Sequence, residues 1–429
     1  MKKKYRIILY TSIFLLCVVA SIILVVKKSN SVYEEESKPK VVKHKSMLSM
    51  NLEQTAGSGD YKTVTQSKWP TEGYKFNAEL SRCENGSTLS WDDTKKAVIV
   101  SGNLSDKCYV YFDIYQPTLA EYIKSQYTGT QGENNIYYHD SDLANGAGDN
   151  SYRYAGANPN NFVCFGTTES PCPTDNLYRI IGVFGENYHG VTGKQLVKLI
   201  KYDYMTTDEL GTDGDYSQTY KEWGMDSTYK GTYGDGERIG VYYWNYKATG
   251  SATNTWSTSL LNKTNLNTNF INNIGTTWAN KIATVTWKVG GNTWANIGTK
   301  TSSVAYTNEI TNPVTTNTTD NATTYSAKIG LMYVSDYGFA ASPDAWTLTM
   351  SSYNNTTATN NNWMYMGLYE WTISRDADLS NTAFSVNYGG SVSSNYVYSS
   401  NGVRASFNLE SSVSYVSGSG SMSDPIVIN

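Results

Sequence analysis

Charge is scarce in this sequence. Asp, Glu, Lys and Arg make up 17% of the 429 residues while Tyr (36) and Trp (11) are abundant, which excludes both charge-driven disorder and a coiled coil. Histidine is scarcer still. His44, His139 and His189 stand far apart, so the HExxH spacing that sets two imidazoles on one helical face is missing and no protein zinc site is expected. There is no G-x-S-x-G elbow and no Gly-rich phosphate loop, which leaves nucleophilic hydrolase chemistry without support. The net charge of -4 includes six positive charges within the first 28 residues, leaving -10 on residues 29–429. An acidic body of this kind argues against nucleic acid as a partner.

What is present is enough chain for two or three folded units. Between Arg6 and Lys27 lie twenty residues without a charge, IILYTSIFLLCVVASIILVV. At about 1.5 Å per residue they reach roughly 30 Å, one hydrocarbon core. A cleavable signal would end its apolar run in small residues, whereas this one passes Ala20 and ends in lysines. Leu16 before Cys17 does not fit a lipoprotein site. The reading is a transmembrane helix, 7–26, acting as a signal anchor in the lipid bilayer, with 1–6 as a cytoplasmic tail.

Four Lys/Arg precede the span and six follow it within about twenty residues, so the charge-bias rule does not set its orientation. Cysteine does. The four cysteines beyond the span fall as two close pairs, Cys83 with Cys108 and Cys164 with Cys172, without metal-ligand spacing. Disulfides imply an oxidising, exported compartment. The expected localisation is therefore the cell membrane, single-pass, with the N-terminus cytoplasmic and the C-terminal domain extracellular.

Residues 27–67 show little apolar periodicity and read as a flexible stalk. From 68 to 115 the runs YKFNAEL, KKAVIVSG and CYVYFDI, broken at Asn85-Gly86 and Asp92-Asp93, read as a small β-module that needs its disulfide staple. TLAEYIKSQYTG (118–129) places Leu119, Tyr122, Ile123 and Tyr127 at helical spacing behind Thr118 as cap. LYRIIGVFG and QLVKLIKYDY predict a strand hairpin. Leu260, Leu261, Leu266, Phe270 and Ile271 suggest a helix packed on a core, and strands are expected at KIGLMYVSDYGFA, NWMYMGLYEWTISR, FSVNYGG and GVRASFNL. The fold class is α+β, strand-rich.

WSTSLLNKTNLNTNF (256–270), GLYEWTISR (367–375) and GVRASFNL (402–409), in that order, resemble the C-type-lectin-like domain of the formylglycine-generating-enzyme (sulfatase-modifying factor) type. The closer likeness is to membrane-anchored surface proteins of gut Gram-positive bacteria, in which CENGSTLSWDDTKKAVIV, SDKCYVYFD and NLYRIIGVFG precede such a domain. The resemblance covers roughly 68–429 and implies a C-type-lectin-like domain over 116–429. The family's oxygenases hold copper with two cysteines late in the domain. No cysteine follows Cys172 here, so oxygenase activity is not expected.

Binding is expected rather than catalysis: a cell-surface adhesion protein that recognises a glycan or a surface protein, and not an enzyme. The stretch 387–402 mixes Tyr, Ser, Asn and Gly, a binding-loop composition in which Tyr supplies rigid contact area. The candidate ligand-binding residues are Tyr388, Asn395, Tyr396, Tyr398, Asn401, Trp363 and Tyr365, with Tyr353 beside them. Trp371 reads as core, and Arg375 and Arg404 as ion-pair partners of Asp376, Asp378 or Glu410. The alternative is a pilin-like or envelope structural subunit whose aromatics mediate self-association. A third class, a carbohydrate-active hydrolase, needs only two carboxylates, and Asp213, Asp215, Asp235, Glu237, Glu370, Asp376 and Asp378 are available. The Gly211–Asp215 and Asp235–Glu237 clusters offer oxygen ligands of the kind calcium takes but lack EF-hand spacing, and read as acidic turns. No cofactor is assigned, structural calcium being the alternative reading of those turns.

Overall fold

The structure, a computed structural model, describes residues 48–65, 68–70, 73–212, 217–220, 229–233, 239–246, 252–313, 323–354 and 359–429. The expected tail, the span 7–26 and the stalk as far as residue 47 lie outside them, as do Asp213, Asp215, Asp235 and Glu237. Among the described residues no helix is long and apolar enough to cross a membrane. The chain divides into two compact units after Tyr115.

The smaller unit begins earlier than its sequence suggests. Leu48–Glu53 and Tyr61–Val64 form strands in a stretch read as stalk, a correction to the 27–67 boundary. The reason is tertiary: Leu48 to Leu52 pair in parallel with Cys108 to Phe112, which buries Met50 and Leu52 beside Val110 and Phe112. Tyr74–Cys83 pairs antiparallel on the other edge of Cys108–Ile114. That register sets Cys83 opposite Cys108, and the two form a disulfide. Rings of Trp69, Phe76 and Trp91 lie within 5.9 Å of Phe112, a small aromatic core for a small unit.

The larger unit is built on two sheets. In the first, the hairpin Leu177–Phe184 and Leu196–Lys201 forms as the sequence predicts. Ser406–Asn408 and Ile329–Gly330 continue it on one side, and Ser151–Tyr154 and Ile136–His139 on the other. Gly182 permits the close approach of its neighbour, since a Cβ there would sit 2.3 Å from the Tyr152 carbonyl oxygen. The second sheet runs Ser217–Tyr220, Ile239–Tyr242, Asn401–Gly402, Glu370–Arg375, Thr382–Val386 and Val392–Tyr396. Trp244, Trp256, Trp287, Trp346 and Trp371 are fully buried in the unit, so the core reading of Trp371 holds. Cys164 and Cys172 form the second disulfide.

Local signals held where they were strong. Thr118 caps the helix Leu119–Ser125 with Glu121 completing the capping box. Leu261–Phe270 is helical, with Leu261, Leu266 and Phe270 buried. The strand expected over 328–340 is reduced to Ile329–Gly330, and Val334–Phe339 is a helix whose first turn is tied down by Asp336, which accepts from Tyr333 N at 3.0 Å.

Asp336 anchors the buried polar centre of this unit. It accepts from Lys198 Nζ at 2.7 Å and from the Tyr188 hydroxyl at 2.7 Å, and Arg153 lies 3.6 Å away. Arg153 also donates to Asp149 at 2.8 Å. Two cations and two carboxylates thus neutralise one another away from water, the condition for burying charge.

Candidate functional site

A cleft of about 500 Å³ opens in the larger unit, within the range of small-ligand pockets. Phe162 comes to it on the strand Phe162–Cys164, and Arg179 on Leu177–Phe184, directly opposite in the register. Trp363 is fixed by its own backbone and ring: its N–H donates to the Gly156 carbonyl at 2.9 Å and its indole Nε1 to the Tyr154 carbonyl at 2.8 Å. Asn362 sets the same turn by donating to the Tyr337 carbonyl and accepting from Met364 N, both at 2.9 Å.

Arg179 has an unusual setting for a cation. It is 5% exposed, and its guanidinium carbon lies 4.3 Å from the Phe162 ring centroid and 4.7 Å from that of Trp363. Nε donates to Asn161 Oδ1 at 2.7 Å and Nη2 to the Pro159 carbonyl at 3.0 Å. Asn161, itself fully buried, is held by its own amide donating to the Ile180 carbonyl at 2.7 Å. Burial pushes the guanidinium down to about 9, with nearby Arg404 acting in the same direction. Lys230, exposed on the same cleft, donates to the Thr359 carbonyl at 2.6 Å and sits 4.6 Å from the Tyr365 ring centroid. Tyr202, Asn158, Asn160 and Asn362 add flat and amide surface, and no acidic residue is among the described lining residues. Asn160 also lines a second cleft of about 210 Å³, whose wall includes Gln126, Asn134 and Asn135.

The candidate residues named from sequence separate into three places. Trp363 and Tyr365 line the cleft although each is at most 5% exposed as a whole residue. Tyr365 donates to the Tyr388 carbonyl at 2.5 Å, tying the cleft wall to the 387–402 stretch. Tyr388, Tyr396 and Tyr398 are outward, at 52%, 52% and 44% exposure, and the last two rings stack at 5.1 Å and 8°. Asn395 lies between, its amide donating to Ser385 Oγ at 2.9 Å.

Two assignments are corrected. The 387–402 stretch is not a free loop, since Val392–Tyr396 is an edge strand paired with Thr382–Val386, and Asn401 is buried where its backbone joins the second sheet. Tyr353 is interior, its hydroxyl donating to the Gly338 carbonyl at 3.0 Å. The ion-pair expectations also change. Arg404 pairs with Glu370, and Arg375 donates to the Val289 and Gly290 carbonyls instead of to a carboxylate. Glu370 is therefore occupied, and Asp376 is buried among backbone donors and hydroxyls. Among the described residues no group of three or more His, Cys, Asp or Glu is placed to hold a metal ion.

Sequence reasoning missed Arg179. The signal was there: a lone charge inside the apolar run LYRIIGVFG is a buried cation, and a buried cation needs a partner. The chain shows no match to a protein-family model, to a curated protein or to a solved structure.

Proposed function

We propose that this chain is a membrane-anchored cell-surface protein whose C-type-lectin-like domain binds a glycan. One observation carries the reading: an aromatic and amide-lined cleft with Arg179 set against Phe162 and Trp363. Flat rings cover the apolar faces of sugars, and side-chain amides exchange hydrogen bonds with hydroxyls in both directions. Among the described lining residues there is no carboxylate, so the carboxylate pair of glycoside cleavage is not among them. A glycan array probed with the purified full-length chain tests this. Binding that is lost in Trp363→Ala, with the fold retained by circular dichroism, is the expected result; binding that survives removes the cleft from the account.

A structural-subunit reading keeps one observation of its own, the exposed Tyr396–Tyr398 stack with Tyr388 also outward. Exposed aromatic groups at and beside an edge strand suit self-association or a protein partner.

A further inference from the structure

We infer that the ligand of the cleft carries a negative charge, a carboxylate or sulfate on a sugar, received by Arg179 and Lys230. This rests on the glycan-binding reading and narrows it. Burying a cation without a counter-charge is costly, and four other buried cations of the unit have one: Arg153 has Asp149 and Asp336, Lys198 has Asp336, Lys201 has Glu209 and Arg404 has Glu370. Arg179 has no carboxylate partner among the described residues, and neither has Lys230. Arg375 also lacks one, but it does not line the cleft.

The donor geometry points the same way. A guanidinium has five N–H donors, and Arg179 uses Nε and Nη2 on Asn161 and Pro159, leaving Nη1 without a hydrogen-bond partner among the described residues. The aromatic rings and the two neutral acceptors hold the group in place, and neither neutralises it. Asn161 is in turn pinned to the Ile180 carbonyl, so the guanidinium is positioned before a ligand arrives. Lys230 adds a second cation to the lining of the same cleft, its ammonium donating to the Thr359 carbonyl. An anion entering here gains charge-assisted hydrogen bonds, which are about twice as strong as neutral ones. The uncharged and exposed Asn158 and Asn160 remain for the hydroxyls of the same sugar.

The test uses the purified full-length chain on an array of oligosaccharides in matched pairs, each uronate-containing chain against its methyl ester and each sulfated chain against its desulfated form. The charged member of at least one pair is expected to bind about tenfold or more tightly than its neutral partner, with the difference shrinking as salt rises. Which series shows it distinguishes carboxylate from sulfate. Lys230→Met, at an exposed position, is expected to lose most of that difference; Arg179→Met should lose it entirely, and if that variant does not fold, Lys230→Met decides. Equal binding of charged and neutral partners, abolished by Trp363→Ala, overturns the anion inference and leaves the glycan reading intact. Failure of the wild-type chain to bind any member overturns both.

Discussion

Glu370 Oε1 accepts from Arg404 Nε at 2.8 Å, with both side chains at most 3% exposed. The two residues stand at the start of one strand and just beyond another, and Arg404 also donates to the Met364 carbonyl at 2.6 Å, so the pair ties the second sheet to the turn that carries Trp363. Removing one partner leaves a buried unpaired charge, which costs about 3–5 kcal/mol. Arg404→Leu should lower the unfolding free energy read from urea denaturation by that amount, and the double change Glu370→Leu/Arg404→Leu should recover a large part of the loss. A single variant as stable as the parent contradicts the assigned pairing.

The disulfides give a second expectation. In the chain-entropy picture, loops of 25 and 8 residues contribute about 3.5 and 2.5 kcal/mol respectively. Cys83→Ala/Cys108→Ala should therefore unfold the small unit preferentially, since its core is modest. Maleimide labelling of the denatured, unreduced chain should leave Cys83, Cys108, Cys164 and Cys172 unmodified on peptide mapping.

Acid should destabilise the larger unit through His139. This ring is fully buried, accepts from Ala147 N at 3.0 Å, and is held well below 6.5 by burial and then by the Arg153 charge. The unfolded chain takes up a proton near pH 6.5 where the folded chain does not, so stability present in full above that pH is lost as pH falls. The contribution of one such residue between about pH 7.5 and 5.5 is about 1.4 kcal/mol. Comparing urea midpoints of wild type and His139→Gln over that range isolates it from Glu309 and Glu370, whose burial raises their own values and opposes the trend. Parallel pH profiles for the two proteins disprove the assignment.

Replacing Tyr388, Tyr396 and Tyr398 together by Ala should cost little stability, within about 0.5 kcal/mol per site, because exposed positions lose few contacts. If the edge strand mediates self-association, crosslinked ladders on intact cells disappear in this variant while sugar binding by the cleft persists. Loss of sugar binding instead would move the site from the cleft to the tyrosine patch.

The features legible in the sequence were the ones whose causes are local. Thr118 and Glu121 lie one turn apart and cap their helix wherever it packs. The alternation in CYVYFDI marks a strand because the side chains of successive residues face opposite ways. Two strands at 48–64 were missed because the first pairs with a partner sixty residues later and the second pairs with the first. The same limit explains Tyr353, which composition alone placed with the exposed aromatics and packing placed inside.

Sequence by itself determined that this chain folds, that it is strand-rich, and that its cysteines fall in pairs, since burial preference, periodicity and chain proximity are written residue by residue. Only the tertiary structure decided which charges meet. Phe162, Arg179 and Trp363 converge, Arg404 finds Glu370, and Arg179 is left without a carboxylate among the described residues. Coulombic partners depend on distance in space, which sheet register and core packing set together and which no short stretch of residues encodes.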